Sequence, residues 1–207
     1  SVLERLVDRK HRLVRLFEPP FDTAPWDPGY IKGYLPGVRE NGGQYTHAAV
    51  WTAMALAALR QGDAAWEIFQ YLNPIRHGDT PEHVRTYKLE PYVLAADLYT
   101  VKGHEGEGGW SWYTGSAAWL YRLLVKDLLG LHLETNVLSF SPLLPTDWNG
   151  FKLTYRYRNT FYHIQFLKTG EATWNARRVV VDGADQPDQK IHLVDDGRKH
   201  QALILLG

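Results

Sequence analysis

Cysteine is absent from the 207 residues. Its absence excludes disulfides, thiolate metal sites and cysteine nucleophiles, and it fits a reducing compartment. Excess charge is missing too. Twenty-three Lys and Arg face 23 Asp and Glu, for a formal net charge of +0. With no Lys/Arg block either, a nucleic-acid partner is not expected. No apolar run is long enough to span a bilayer; the most nearly apolar stretch, residues 48–59, is too short. The opening Ser1-Val2-Leu3-Glu4-Arg5 is not a signal-peptide pattern. No membrane insertion by this segment is expected, and its expected place is the cytoplasm, free or as the soluble end of an inner-membrane protein. A Gly-x-Ser-x-Gly elbow and a Walker loop are both missing. His77, His83 and His104, with Glu105 and Glu107, lack a recognised metal spacing, so no metal site is expected.

What is plentiful is aromatic: eight Trp and twelve Tyr. Several stand beside glycines and polar residues, as in Trp26, Tyr30, Tyr34 and Tyr45, then Trp110, Trp112 and Tyr113. Flat amphipathic rings beside polar groups suit sugar rings, whose C–H faces stack while the rim takes hydrogen bonds. An aromatic core accounts for the same composition.

The periodicity divides the chain. Residues 1–17 carry an apolar stripe of Leu3, Leu6, Val7, Leu13, Val14 and Phe17, which predicts a helix stopped by Pro19-Pro20. Residues 18–43 hold five prolines and five glycines, so they form a long loop. Residues 44–59 are apolar nearly all round and predict a helix buried on most sides. A helix capped by Asp63 over 64–72 completes an αα-hairpin. Pro91 is placed to open a helix over 91–99. A glycine-rich loop over 102–109 leads to a helix over 115–129, ended by Gly130. Beyond 130 the period changes to two. Residues 151–157 and 162–166 alternate around Arg158-Asn159-Thr160, a hairpin turn. Further strands are expected at 131–137, 178–181, 190–194 and 202–206.

Three constellations carry chemistry. The first is Gly37-Val38-Arg39-Glu40-Asn41-Gly42-Gly43-Gln44-Tyr45-Thr46-His47. Its glycines allow a shaped turn, and it feeds a helix N-terminus, where free N–H groups favour an anion. An ordinary loop with a capped helix fits the same residues. The second is Gly108-Gly109-Trp110-Ser111-Trp112-Tyr113-Thr114-Gly115-Ser116, which repeats that logic. A Thr hydroxyl, backbone N–H groups and an imidazole can together hold a phosphate-sized dianion. An N-cap Thr in a Trp-rich packing loop is the alternative. The third is Tyr87-Lys88-Leu89-Glu90-Pro91-Tyr92, in which Glu90 either caps a helix or, with Lys88, faces a sugar hydroxyl.

At these residues the sequence resembles the glycoside phosphorylases of glycoside hydrolase family 94, the cellobiose and chitobiose phosphorylase group. It is more similar still to the C-terminal end of the cyclic β-1,2-glucan synthases. The matching blocks are Asp27-Pro28-Gly29-Tyr30-Ile31-Lys32-Gly33-Tyr34, residues 37–47, 87–93 and 109–116, with Asp147-Trp148-Asn149-Gly150-Phe151 in the terminal β region. The resemblance implies an α + all-β chain: residues 1–130 as the C-terminal helices of an (α/α)6 barrel, and 131–207 as a small β-sandwich-like domain. It implies phosphate held by His47, Thr114 and the backbone of Gly115, with inorganic phosphate as co-substrate and no cofactor. It implies Glu40 beside the scissile bond; Arg39, Lys88, Glu90, Trp112 and Tyr113 complete the candidate sugar contacts. The family's general acid, an Asp, is expected upstream of the first residue. The chain thus holds no catalytic residue of its own and is expected to be inactive alone. Its expected partners are a β-glucan or other glucose-containing saccharide, phosphate and the rest of its own barrel. Two other readings stay open: a non-catalytic carbohydrate-binding or structural module, and a hydrolase of related barrel fold using Glu40.

Overall fold

The computed structural model describes residues 1–22, 25–112, 114–170 and 175–207. The chain forms two compact units, Ser1–Leu123 and Leu124–Gly207.

In the first unit, α1 is a single turn, Val2–Arg5. It leads to a short hairpin of β1 (Val7–Asp8) and β2 (Leu13–Val14). The single helix expected over 1–17 is therefore replaced by a turn and a hairpin. Asp8 closes the hairpin by accepting the His11 N–H at 3.1 Å. Arg12 sits at φ 57°, in the left-handed region that ends any helix. Leu13 and Val14 are buried in this extended form, and the Val14 N–H donates to Gln44 Oε1 at 2.8 Å. The stripe marked burial correctly, but a partner 30 residues away decided the backbone.

The loop that follows contains a 3₁₀ turn, Gly29–Gly33. β3 (Gln44–Tyr45) then feeds α2 (Thr46–Ala58), which packs on α3 (Gly62–Leu72). Asp63 falls inside the first turn of α3; the N-cap is Gln61, with no side-chain bond. One face of α2 is buried through Ala49, Val50, Ala53, Leu56 and Ala57. Its opposite face is apolar yet open, with Trp51 54% and, just past its end, Leu59 68% exposed. A 3₁₀ turn, Pro74–His77, precedes α4 (Pro81–Tyr87). His77 stacks on Tyr87 at 4.5 Å and bonds the Tyr71 carbonyl at 2.8 Å.

The helix expected over 91–99 is absent. Residues 93–98 are buried throughout and end in β4 (Asp97–Leu98), which pairs antiparallel with β3. A run buried on all sides reads equally as strand or helix. Here its backbone groups bond sideways. Tyr87 Oη donates to the Val93 carbonyl at 2.6 Å and accepts the Ala95 N–H at 3.1 Å. The Ala96 N–H donates to Trp110 and its carbonyl accepts from Thr46. The last helix, α5 (Ser116–Arg122), continues as a π-helical turn, Leu123–Leu128.

The second unit is built on strands β5 (Leu131–Glu134), β6 (Val137–Phe140), β7 (Gly150–Tyr157), β8 (Thr160–Lys168), β9 (Ala176–Val181), β10 (Ala184–Asp185), β11 (Ile191–His192) and β12 (Lys199–Leu206). They form a five-stranded sheet ordered β10-β9-β12-β8-β7 and a three-stranded sheet ordered β11-β6-β5. The alternation read in the sequence sets the faces. Tyr162, Ile164, Phe166, Ala202, Ile204 and Leu206 point inward, and Phe140 of the smaller sheet meets Phe166 edge-on at 5.2 Å. Tyr157 pairs with Thr160, so the hairpin turn is Arg158-Asn159 and Thr160 belongs to the strand. Only the β12–β8 pairing is parallel among these described strands. His200 of β12 stacks on Tyr162 at 4.8 Å between two carboxylates, Asp182 at 2.6 Å and Asp196 at 3.2 Å.

Candidate functional site

The loop 37–43 is shaped by its own backbone. The Gly37 N–H donates to the Asn41 carbonyl at 2.7 Å and the Gly43 N–H to the Arg39 carbonyl at 3.1 Å. Arg39 takes the left-handed region at φ 50°. A Cβ at Gly43 would lie 2.8 Å from the Arg39 oxygen and 2.9 Å from its nitrogen, so only glycine fits. The fully buried Asn41 pins this loop to the preceding one, accepting the Phe21 N–H and donating to the Phe21 and Tyr34 carbonyls. Thr100 Oγ1 donates to the Gly42 carbonyl at 3.1 Å.

This rigid turn delivers Arg39 and, one step into α2, His47 to a common cavity of about 350 Å³. Arg39, Tyr45, His47, Ala96, Trp112, Thr114 and Gly115 line it. Tyr45 stacks on His47 at 5.9 Å and Trp51 meets it edge-on at 6.3 Å, which fixes the imidazole plane. A Cβ at Gly115 would lie 3.5 Å from His47 Nε2. That is ordinary van der Waals distance, so the imidazole sits against the start of α5 whether or not a Cβ is present. Thr114 Oγ1 lies 2.6 Å from Ser116 Oγ and accepts the Ser116 N–H at 3.1 Å. Ser116 N–H is thus internally bonded, and the residues of that turn that line the cavity are Thr114 and Gly115. Two segments about 70 residues apart in the sequence line this one cavity.

The other expected contacts stand at the margin. Glu40 is part-buried beside Arg39, with Nε and Oε2 3.9 Å apart. Trp112 is 73% exposed and left-handed at φ 61°, and its indole N–H donates to Glu90 at 3.1 Å. Glu90 is held below the usual carboxylate range by a backbone N–H and by that indole. It supports Trp112 and does not line the cavity. Lys88 does not line it either; its Nζ donates to Glu107 at 2.7 Å, and His104 approaches the same oxygen. Tyr113 lies outside the described residues. Tyr45 and Ala96 line the cavity without having been singled out as contacts; only their adjacency to the glycine turn and to the buried 93–98 run marked them.

Asp97 was also missed. It is 1% exposed, accepts the Trp110 N–H at 3.1 Å through Oδ1, and binds the Gly109 N–H through its carbonyl. Burial pushes its carboxyl up, against the pull of the Trp110 N–H and the Arg39 guanidinium. Among the described residues no three His, Asp or Glu converge as a metal set. No described helix is long and apolar enough to cross a membrane.

The catalytic domain of the glycosyl hydrolase 94 superfamily matches residues 1–130. The chain is 44% identical over 189 residues to the cyclic beta-(1,2)-glucan synthase NdvB of Rhizobium meliloti, covering 90% of the chain and 7% of that protein. It is 28% identical to the N,N'-diacetylchitobiose phosphorylase of Vibrio furnissii, over 94% of the chain and 24% of that protein. It is 24% identical to the 1,2-beta-oligoglucan phosphorylase of Listeria innocua, over 90% of the chain and 20% of that protein. The chain thus spans a quarter or less of the length of these relatives.

Proposed function

This chain belongs to the glycosyl hydrolase 94 superfamily, and we propose that it supplies the phosphate- and saccharide-binding part of an inverting phosphorylase-type site for a β-glucan. The observation that carries the reading is the meeting of His47 Nε2 with Gly115, beside the Thr114 hydroxyl, in one cavity. A ring N–H, a hydroxyl and a backbone N–H at a turn entering a helix are a donor set for orthophosphate. Arg39, Glu40 and the exposed face of Trp112 supply the donors, acceptors and stacking surface that a sugar ring uses.

In this reading a phosphate oxygen attacks the anomeric carbon as the glycosidic C–O bond breaks. The departing oxygen takes its proton from an acid on the opposite face. That acid is assigned to a part of the polypeptide outside these residues. The same reading places residues 1–130 in an (α/α)6 barrel and 131–207 in a terminal β domain. The open apolar surface at Trp51, Leu59 and Tyr121, each more than half exposed, is where further barrel helices would pack.

The test is calorimetric titration of inorganic phosphate, and phosphorolysis of β-1,2-linked glucan, with the full-length protein that carries this chain. His47→Ala is expected to weaken phosphate binding at least 10-fold and to cut phosphorolysis correspondingly. The isolated chain is expected to release no sugar phosphate. Phosphate-independent cleavage of the glucan would favour a hydrolase. Undiminished phosphate binding in the His47 variant would remove the phosphate assignment.

A further inference from the structure

Four buried side-chain polar atoms without a hydrogen bond lie, among the described residues, on the segments around the cavity: Arg39 Nε, Glu40 Oε2, Thr46 Oγ1 and Asp97 Oδ2. Burying such atoms unbonded is costly, so they mark a place where a partner is expected. The set holds one guanidinium donor, two carboxylate acceptors and one hydroxyl. Arg39 lines the cavity and the other three stand behind it; the two carboxylates near the guanidinium disfavour an anion there and leave the Arg39 donors for a hydroxyl group. The other polar lining residues, His47 and Thr114 with Gly115 beside them, bring no carboxylate.

Asp97 stands behind this end of the cavity. Its side chain does not line it. It acts through two neighbours. Oδ1 accepts the Trp110 N–H, and the Trp110 ring carries the Arg39 guanidinium 4.0 Å above its centroid. Tyr34 faces the same guanidinium at 5.6 Å. The backbone of Asp97 pairs with Tyr45, which lines the cavity, and binds the Gly109 N–H that opens the segment bearing Trp112 and Thr114. Asp97 therefore ties the Tyr45 strand to the segment bearing Trp112 and Thr114 through its backbone, while its carboxylate holds Trp110 and its charge interacts with the stacked guanidinium.

We propose that Asp97 is a positioning residue for the saccharide end of the cavity, fixing the Trp110–Arg39 stack so that Arg39 presents its donors to a sugar hydroxyl. This role rests on the saccharide reading above.

Equilibrium titrations of the full-length protein with β-1,2-linked glucan oligosaccharides, and separately with inorganic phosphate, test it. Asp97→Asn keeps an acceptor for the Trp110 N–H but loses the charge. Arg39→Lys keeps the charge but loses the flat stack. Each is expected to weaken saccharide binding about 10-fold and to leave phosphate affinity within 2-fold. Because both act through one stack, the double variant is expected to bind no worse than about the weaker single variant. Asp97→Asn with unchanged saccharide affinity overturns the proposal. So does an equal loss of both ligands, or a double variant whose losses multiply. Wild-type protein that binds phosphate but no oligosaccharide overturns the saccharide reading itself, a result distinct from all of these.

Discussion

Gly43 is the residue on which the shape of the Arg39 turn depends. Any Cβ there meets backbone atoms of Arg39 closer than 3.0 Å, and backbone cannot swing aside as a side-chain tip would. Gly43→Ala is expected to destabilise the first unit by about 1–3 kcal/mol, as strain at a special backbone position does. It is also expected to displace Arg39 from the Trp110 ring. Chemical denaturation checks the first effect, and the tryptophan emission of the native state checks the second. The glycine turn and His47 were visible in the sequence because Gly-Gly before a helix is a local signal. Asp97 was not. Nothing in Ala95-Ala96-Asp97-Leu98 says that its carboxylate faces inward; only the pairing with Tyr45 and the bond to Trp110 do.

Among the elements, those whose backbone bonds are internal were legible. Helix α2 follows from its long run of apolar and small residues, α3 from the turn before it and the proline after it, and the β7–β8 hairpin from its alternation, to within a few residues. Residues 1–17 and 91–99 were misread because their backbone groups bond to distant side chains, Gln44 Oε1 for Val14 and Tyr87 Oη for Val93 and Ala95. A 3.6 period cannot report such partners. Tyr87→Phe tests this dependence directly. It leaves two buried backbone groups unbonded without removing the ring, and each costs about 1–3 kcal/mol. The variant is expected to unfold at lower denaturant with an unchanged slope, and amide exchange at Ala95 should rise first. A variant as stable as wild type would mean that the 93–98 segment is held by packing alone.

On the scale of the whole molecule, one histidine in each unit contributes to stability with opposite pH dependence. In the first, burial pushes His77 down to about 4, so the neutral ring donates to the Tyr71 carbonyl. A folded pKa below the unfolded value of 6.5 means that the unfolded state binds the extra proton. The contribution of His77 is therefore complete above pH 6.5 and falls as pH drops from 6.5 towards 4, by up to about 3 kcal/mol. In the second, both nitrogens of His200 face carboxylates, and the bond to Asp182 raises its pKa despite burial. Its contribution is complete below pH 6.5 and is lost as pH rises through the raised folded value. Amide exchange followed separately in the two units from pH 4 to 9 should show protection lost in acid around His77 and lost in base around His200. His77→Gln and His200→Gln are each expected to flatten only their own unit's profile.

The order β10-β9-β12-β8-β7 also governs when the second unit can exist. Its middle strand, β12, is the last of the five to leave the ribosome. Before residues 199–206 emerge, the nascent chain can hold only two separate hairpins, β7–β8 and β9–β10, each with an inner edge that β12 alone covers. A bare edge pairs with whatever strand is near. That exposure ends only once residues 199–206 have been made and inserted between the two hairpins.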